Sequence, residues 1–410
     1  MRYIGNKTRL LEFLMHAVRR VSPVPGVAHD AFAGTAAVGR ALKVDGWRVI
    51  SSDLMTYSYV FQQAYVVAQR VPSFAAVRAE DAGFRRALRS ARFRAAVQQR
   101  GGGALAECAE FLERWLEGEC GFVSEHFSPR EDGEGGRRYF TRENARRIDA
   151  VRRRLHEWRS CGLIGDAAYW LFLAALIEGA DRVANTAGVY AAYIKEWQPN
   201  ALRALALSPV RPVRGVPGSA AFRDDAARVA ASVEDVDLLY VDPPYNARQY
   251  ASYYHVPEII ARGWFDGALE LRGKTGLLGA ERGGGGGGGG GGERGASGRA
   301  ADERLGVPSQ RSAWCSASEV SRAMEELLAA SRARAVVVSY NSEGLLDARD
   351  IQQLVSEATR SKARIIERSY RRYRADRDHE RRRYRADGVR ELLVYGVRAA
   401  GRSRSRAGRS

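Results

Sequence analysis

The sequence predicts an α/β fold around a largely parallel sheet, and three stretches carry the prediction. Residues 238–241, Leu-Leu-Tyr-Val, form a short apolar run suited to a strand buried on both faces. Pro243 and Pro244 follow, and neither can donate to a ladder, so the strand has to stop at Asp242. Residues 27–39, Val-Ala-His-Asp-Ala-Phe-Ala-Gly-Thr-Ala-Ala-Val-Gly, read as a strand ending near Asp30, a Gly-Thr turn and a helix beginning around Thr35. Residues 334–340 and 363–368 read as buried strands with a helix between them, and 390–397 as a last strand. Such units place ligands at the carboxyl edge of the sheet, beside helix N-termini.

The remaining elements follow in chain order. Residues 2–7, Arg-Tyr-Ile-Gly-Asn-Lys, open into a helix predicted over 10–20, with Gly5 permitting close backbone approach. The turn after Asp30 lacks the spacing Gly-x-Gly-x-x-Gly and has no Walker lysine, which argues against dinucleotide and phosphate-loop readings. Residues 47–52 form a second strand with Asp53 at its tip, where a carboxylate suits hydrogen bonding to ribose hydroxyls. From Thr56 to about Ser219 the chain is mostly helical and interrupts the alternation. There Ile148, Val151, Leu155 and Trp158 make a core stripe on an Arg-rich helix. Residues 137–142, Arg-Arg-Tyr-Phe-Thr-Arg, read equally as a DNA-touching mixture of bases and aromatics or as a solvated loop. Phe222 should end a third strand, followed by Asp224 and Asp225.

After the prolines, residues 246–255 are polar and aromatic, and Arg248, Tyr250 and Tyr254 are candidate DNA contacts. The glycine run 283–292 makes 279–305 a disordered loop or linker, and 399–410 a disordered Arg/Ser tail. Between the last two strands, Arg-Tyr-Arg-Ala-Asp occurs twice, at 372 and 383. Arginines interleaved with tyrosines form a surface for phosphates and stacking, with Arg371, Arg372, Arg382 and Arg383 as its candidate contacts.

Composition narrows the partners. The 410 residues suffice for one large domain with insertions or for two domains, and 45% hydrophobic residues support a substantial core. With 65 Lys plus Arg against 48 Asp plus Glu, the net charge of +17 favours a polyanion, nucleic acid ahead of membrane. The amino terminus is no signal peptide, and no apolar run reaches the ~18 residues that span a bilayer, so the expected location is the bacterial cytoplasm or nucleoid. Cys108, Cys120, Cys161 and Cys315 show neither zinc-ligand nor disulfide-framework spacing and read as reduced structural residues, with no metal expected.

Asp242-Pro-Pro-Tyr245 resembles the signature of enzymes that methylate an exocyclic amine of a nucleic-acid base. Together with Gly5-Asn-Lys7, Asp30-x-Phe32-x-Gly34-Thr35, Asp53 and Asp225, in that order, the chain resembles the Dam-like (class D12) adenine-N6 DNA methyltransferases. Residues 183–197 resemble a segment shared by members from type IIS restriction–modification systems. The resemblance implies a seven-stranded, Rossmann-like S-adenosylmethionine (AdoMet) methyltransferase sheet made of 1–70 and 216–398. It implies a helical insertion, 75–215, for target recognition.

It also implies AdoMet as cofactor, double-stranded DNA as substrate and a cognate restriction endonuclease encoded nearby. Tyr3, Gly5, Lys7, Asp30, Phe32, Gly34, Asp53 and Asp225 would then line the cofactor site. Asp225 is preferred to Asp224 as acceptor of the cofactor's adenine amine, because in the family the acid directly precedes a small residue. Asp242, Pro243, Pro244 and Tyr245 would form the catalytic segment, with Asp242 also facing the cofactor. Ala36 departs from the family's glycine, which crowds the turn but removes no functional group.

The chemistry explains these residue types. An adenine amine is a poor nucleophile because its lone pair is delocalised, and acceptors aimed at its two hydrogens favour a pyramidal, nucleophilic nitrogen. A base taken out of the duplex can stack on Tyr245, offsetting part of an unstacking cost of roughly a few kcal/mol. The alternatives are a cytosine exocyclic-amine methyltransferase, which usually has Ser at the first signature position, and a catalytically silent DNA-binding protein on the same scaffold.

Overall fold

The structure, a computed structural model, describes residues 1–131, 135–247, 249–265, 269–272, 276–279, 312–371 and 388–398. Seven strands form one sheet: β1 (Val27–Asp30), β2 (Arg48–Ser52), β3 (Ala220–Phe222), β4 (Leu238–Val241), β7 (Ala335–Asn341), β8 (Arg364–Arg371) and β9 (Gly388–Val397). Their order is β3-β2-β1-β4-β7-β9-β8. β1 pairs in parallel with both β2 and β4, and β4 with β7, while β9 runs antiparallel between β7 and β8. The chain thus steps outward from β1 through β2 to β3 and then returns to β1's other side at β4. That reversal is where ligands bind in open α/β sheets. A separate hairpin, β5 (Leu269–Arg272) with β6 (Gly276–Gly279), was not predicted.

β4 and β7 are buried along their whole length, as their unbroken apolar runs require. Helix Leu11–Val21 covers the side of the sheet that carries Leu393 and Tyr395, burying Leu14, Ala17 and Val18. Helices Val320–Ala330 and Ala348–Thr359 cover the opposite face. Helices run from Thr56 to Arg182, as predicted, and Ile148, Val151, Leu155 and Trp158 are all buried on helix Arg142–Ser160. Their side chains join the same apolar cluster as Val49, Leu238 and Tyr240, so this insertion has no core of its own.

From Val183 to Ser219 the chain is irregular rather than helical, a departure from expectation. Buried asparagines replace a ladder there. Asn185 bonds the backbone of Arg138, Ile194 and Gln198, and Asn144 that of Ala201, Arg203 and Leu205, satisfying groups no helix or strand takes up. The aromatics of 137–142 are core residues, not DNA contacts: Tyr139 and Phe140 are buried and Thr141 caps helix Arg142–Ser160. All four cysteines are free, but only Cys108 and Cys315 are buried; Cys120 and Cys161 are exposed and have no packing role. No helix among the described residues is long and apolar enough to cross a membrane. The predicted loop 279–305, apart from Gly279, and the tail 399–410 lie outside the described residues.

Candidate active site

The carboxyl ends of β1 and β4 open into a cavity of about 320 Å³. Each residue predicted to bind cofactor or to form the catalytic segment lines it, although they come from five separate stretches of chain. From β1 come Asp30, Phe32 and Gly34, from the tip of β2 Asp53, from the end of β3 Asp224 and Asp225, and from β4 the Asp242-Pro-Pro-Tyr245 turn. Residues 3–7 lie across this edge.

That N-terminal segment is held at its start by two anchors. The backbone N–H of Arg2 donates to Asp181 at 2.6 Å, and its guanidinium to the carbonyls of Asp181, Ala184 and Thr186. The backbone N–H of Ile4 donates to the Tyr254 hydroxyl at 2.7 Å. Tyr254, a predicted DNA contact, is fully buried and serves this anchoring instead. Its ring stacks on Tyr3, centroids 4.7 Å apart, while Tyr250 packs on Tyr3 at 5.6 Å and lines the cavity.

Two glycines make the fit possible. Gly34 has φ +51°, and a Cβ there would sit 3.0 Å from the Tyr3 ring. Gly5 has φ +79°, and its Cβ would meet the Tyr245 ring at 3.3 Å. Ala36, where the family has glycine, also adopts a left-handed conformation, φ 57° and ψ 24°, and carries the strain that glycine avoids.

Asp53 is more occupied than predicted. One carboxylate oxygen accepts from the Gly34 N–H and the other from the Met55 N–H, each at 2.9 Å, so it also fixes the Gly34 turn. Asp53 lines the cavity, and burial, opposed by these bonds and by one from Ser58, raises its pKa. Asp225 caps helix Ala226–Ser232 through Oδ1, leaving Oδ2 open; Asp224 lines the same wall.

The charged centre lies at Lys7. Its ammonium is 2.9 Å from Asp242 Oδ1 and 2.7 Å from Glu391 Oε1, and it lies 6.0 Å from the Tyr245 ring centroid. Burial opposes the lysine's charge, but Asp242 and Glu391 outweigh it and hold the pKa above its ordinary value. Burial pushes Asp242 up to about 7, with Lys7 opposing and Glu391 adding to the rise. Asp30 is likewise raised to about 7, by burial first and then by the charges of Asp242 and Asp53.

Sequence reasoning missed Glu391 and Trp314. Glu391 carried a signal, the lone acid of a strand that is apolar but for Arg390; Trp314, edge-on to Phe32 at 4.8 Å, carried none. Arg248, Arg372, Arg382 and Arg383 lie outside the described residues, and Arg371 is the last residue of β8. No cluster of His, Cys, Asp and Glu among the described residues could hold a metal ion.

Among the described residues, six acids, Asp30, Asp53, Asp224, Asp225, Asp242 and Glu326, and a single cation, Lys7, line the cavity. Such a wall repels polyphosphates and suits a ligand with positive charge beside neutral polar groups. Comparison with known proteins gives the family. The chain is 30% identical over 398 residues to the type II methyltransferase M.NlaIII of Neisseria lactamica, covering 96% of this chain and 98% of that protein. It is 31% identical to the type II methyltransferase M.FokI of Planomicrobium okeanokoites over 96% of this chain but 52% of that protein. It is 27% identical to the type II methyltransferase M.CviAII of Paramecium bursaria Chlorella virus 1 over 91% and 92%. A sequence model of the D12 class N6 adenine-specific DNA methyltransferases matches residues 3–274, about two thirds of the chain, and to that family of enzymes the chain belongs.

Proposed function

We propose that the cavity holds AdoMet and that the chain methylates N6 of adenine in duplex DNA as the modification enzyme of a restriction–modification system, beside a cognate endonuclease. One observation carries the assignment of the site: an acid-walled cavity at the β1/β4 edge that ends on Asp242-Pro-Pro-Tyr245. The residues present fit the cofactor. Both Asp30 oxygens are buried without a well-formed hydrogen bond, the amides of Gly39 and Phe32 lying only near enough to favour the charged form. The methionine ammonium would supply the missing donor. Asp53 is offered the ribose hydroxyls, Asp225 the adenine amine, and Tyr3, Phe32 and Gly34 the methionine chain.

Bound there, AdoMet supplies an electrophilic methyl on a sulfonium. The chain's own residues prepare the nucleophile. Asp242 and the Pro243 carbonyl accept from the two amine hydrogens, and the prolines hold that carbonyl so that little reorganisation accompanies charge development. Tyr245 offers a face to the extruded base, worth about 1–3 kcal/mol. Lys7 favours the ionised form of Asp242 and holds its carboxylate in place.

DNA contacts are assigned to Arg248, Tyr250, Arg371, Arg372, Arg382 and Arg383. β8 ends at Arg371 and β9 begins at Gly388, paired with each other, so the arginine-rich connection starts and finishes at the edge that bears the cavity. The helical insertion 75–215 is assigned target recognition; Arg85, Arg86, Arg89, Arg92 and Arg94 are all exposed on its helices Ala82–Arg89 and Ala91–Gln99.

The test is transfer of label from AdoMet to unmethylated genomic DNA by the wild type and by Asp242→Ala. The variant should leave AdoMet and DNA binding largely intact and transfer nothing, because its contacts strengthen mainly in the transition state. Near-normal turnover would remove Asp242 from the active site.

A further inference from the structure

Glu391 is fully buried, yet the transfer chemistry above makes no use of it. It sits near the start of β9, and the antiparallel register sets it beside Asn341 at the carboxyl end of β7, on the edge that bears the cavity. The Ser339 hydroxyl on β7 donates to its Oε1, the same oxygen that meets the Lys7 ammonium at 2.7 Å. A carboxylate at this depth costs several kcal/mol in desolvation, and an apolar residue would pack a strand at lower cost. The group therefore calls for a role other than packing.

Lys7 needs one carboxylate for neutrality and has two. Building on the reading of Asp242 as acceptor of the target amine, we propose that Glu391 is a positioning residue for methyl transfer, anchoring the Lys7 ammonium so that Lys7 in turn orients and charge-balances Asp242. With Glu391 as a fixed partner on the sheet, the ammonium stays in place when the amine takes up the Asp242 oxygens. Without it, Lys7 would keep Asp242 as its remaining ion-pair partner among the described residues and would compete with the substrate for that carboxylate.

The arrangement also governs protonation. The charged and titratable groups around Asp242 are Lys7 from the N-terminal segment, Glu391 from β9 and Asp30 from β1, with Tyr240 on its own strand and Tyr245 and Tyr250 after it. Lys7 favours its ionised form and Glu391 opposes it. Replacing Glu391 by glutamine keeps an oxygen for Lys7 and Ser339 but removes the opposing charge. Asp242 should then ionise at lower pH.

The experiment measures kcat/KM and kcat against pH for wild type, Glu391→Gln, Glu391→Ala and Asp242→Ala, with labelled AdoMet and unmethylated genomic DNA, together with AdoMet affinity by calorimetry. Glu391→Gln should move the acidic limb of kcat/KM, which reports the free enzyme, to lower pH by about half a unit or more. Its rate on the alkaline plateau should stay within about threefold of wild type. Glu391→Ala, which frees Lys7, should lower kcat at least about tenfold across the pH range, with AdoMet affinity within about threefold. An acidic limb unmoved in Glu391→Gln overturns the proposal, whether or not Glu391→Ala folds. Asp242→Ala separates the two readings: if it is inactive while the Glu391→Gln limb stays put, only the role of Glu391 fails. If it turns over normally, the assignment of Asp242 fails first.

Discussion

Lys7→Met would leave Asp242 and Glu391 buried together without their shared cation. The two carboxylates lie within 2.9 and 2.7 Å of the ammonium, and the Asp242 and Glu391 side chains are only 15% and 0% exposed, so water replaces little of the lost interaction. Removing one partner of a buried ion pair typically costs about 3–5 kcal/mol. The cost should depend on pH, and its sign follows from Asp242. Its pKa in the fold, about 7, is already above its unfolded value. A group shifted this way contributes stability below the unfolded pKa and loses it as pH rises through the folded one. Since Lys7 lowers the Asp242 pKa, its removal carries that pKa higher and deepens the loss on the alkaline side. Chemical denaturation should show a deficit of about 3 kcal/mol or more near pH 8.5, smaller by at least about 1 kcal/mol near pH 5.5, where Asp242 holds its proton in both proteins. A deficit equal at both pH values would refute the electrostatic account and leave only lost packing.

Three further outcomes are expected. Tyr245→Phe should retain activity while Tyr245→Ala weakens base capture by about 1–3 kcal/mol, measured as DNA affinity at saturating AdoMet; equal losses would assign the role to the hydroxyl. Ala36→Gly relieves a left-handed alanine, worth about 1–2 kcal/mol, but removes a buried methyl worth about 0.8 kcal/mol and adds freedom to the unfolded chain. The net change in unfolding free energy should therefore stay within about 1 kcal/mol, and a loss above about 2 kcal/mol would mean the strain was overvalued. Neutralising Arg371, Arg372, Arg382 and Arg383 should weaken cognate and scrambled duplexes alike and flatten the slope of log affinity against log salt by up to roughly 0.9 per lost contact. An unchanged slope would mean these side chains are merely solvated, and a loss on cognate DNA alone would make them part of base recognition.

The segments that line the cavity were legible in the sequence because each is short and contiguous. A strand end, a glycine or proline turn and one polar side chain declare themselves within a few residues. Asp30, Asp53 and Asp242 all lie at or just after the end of a strand, and parallel pairing then brings them to one edge. β4 and β7 could likewise be read from local hydrophobicity, since burial on both faces leaves unbroken apolar runs.

What depended on register and packing was not legible. Glu391 reaches Lys7 because β9 inserts antiparallel between β7 and β8, which turns the start of a strand toward the edge that holds the ends of the others. Tyr250 and Tyr254 look alike in sequence, yet one lines the cavity and the other is buried beneath the N-terminal segment, a difference set by the local fold alone. The irregular stretch 183–219 could not be foreseen, because what holds it is a pair of buried asparagine side chains, one of them 39 residues before it in the chain. Sequence determined which chemical groups the protein owns and which strand ends carry them. Long-range pairing decided which of those groups touch, because contacts between distant residues are set by the packing of the whole sheet.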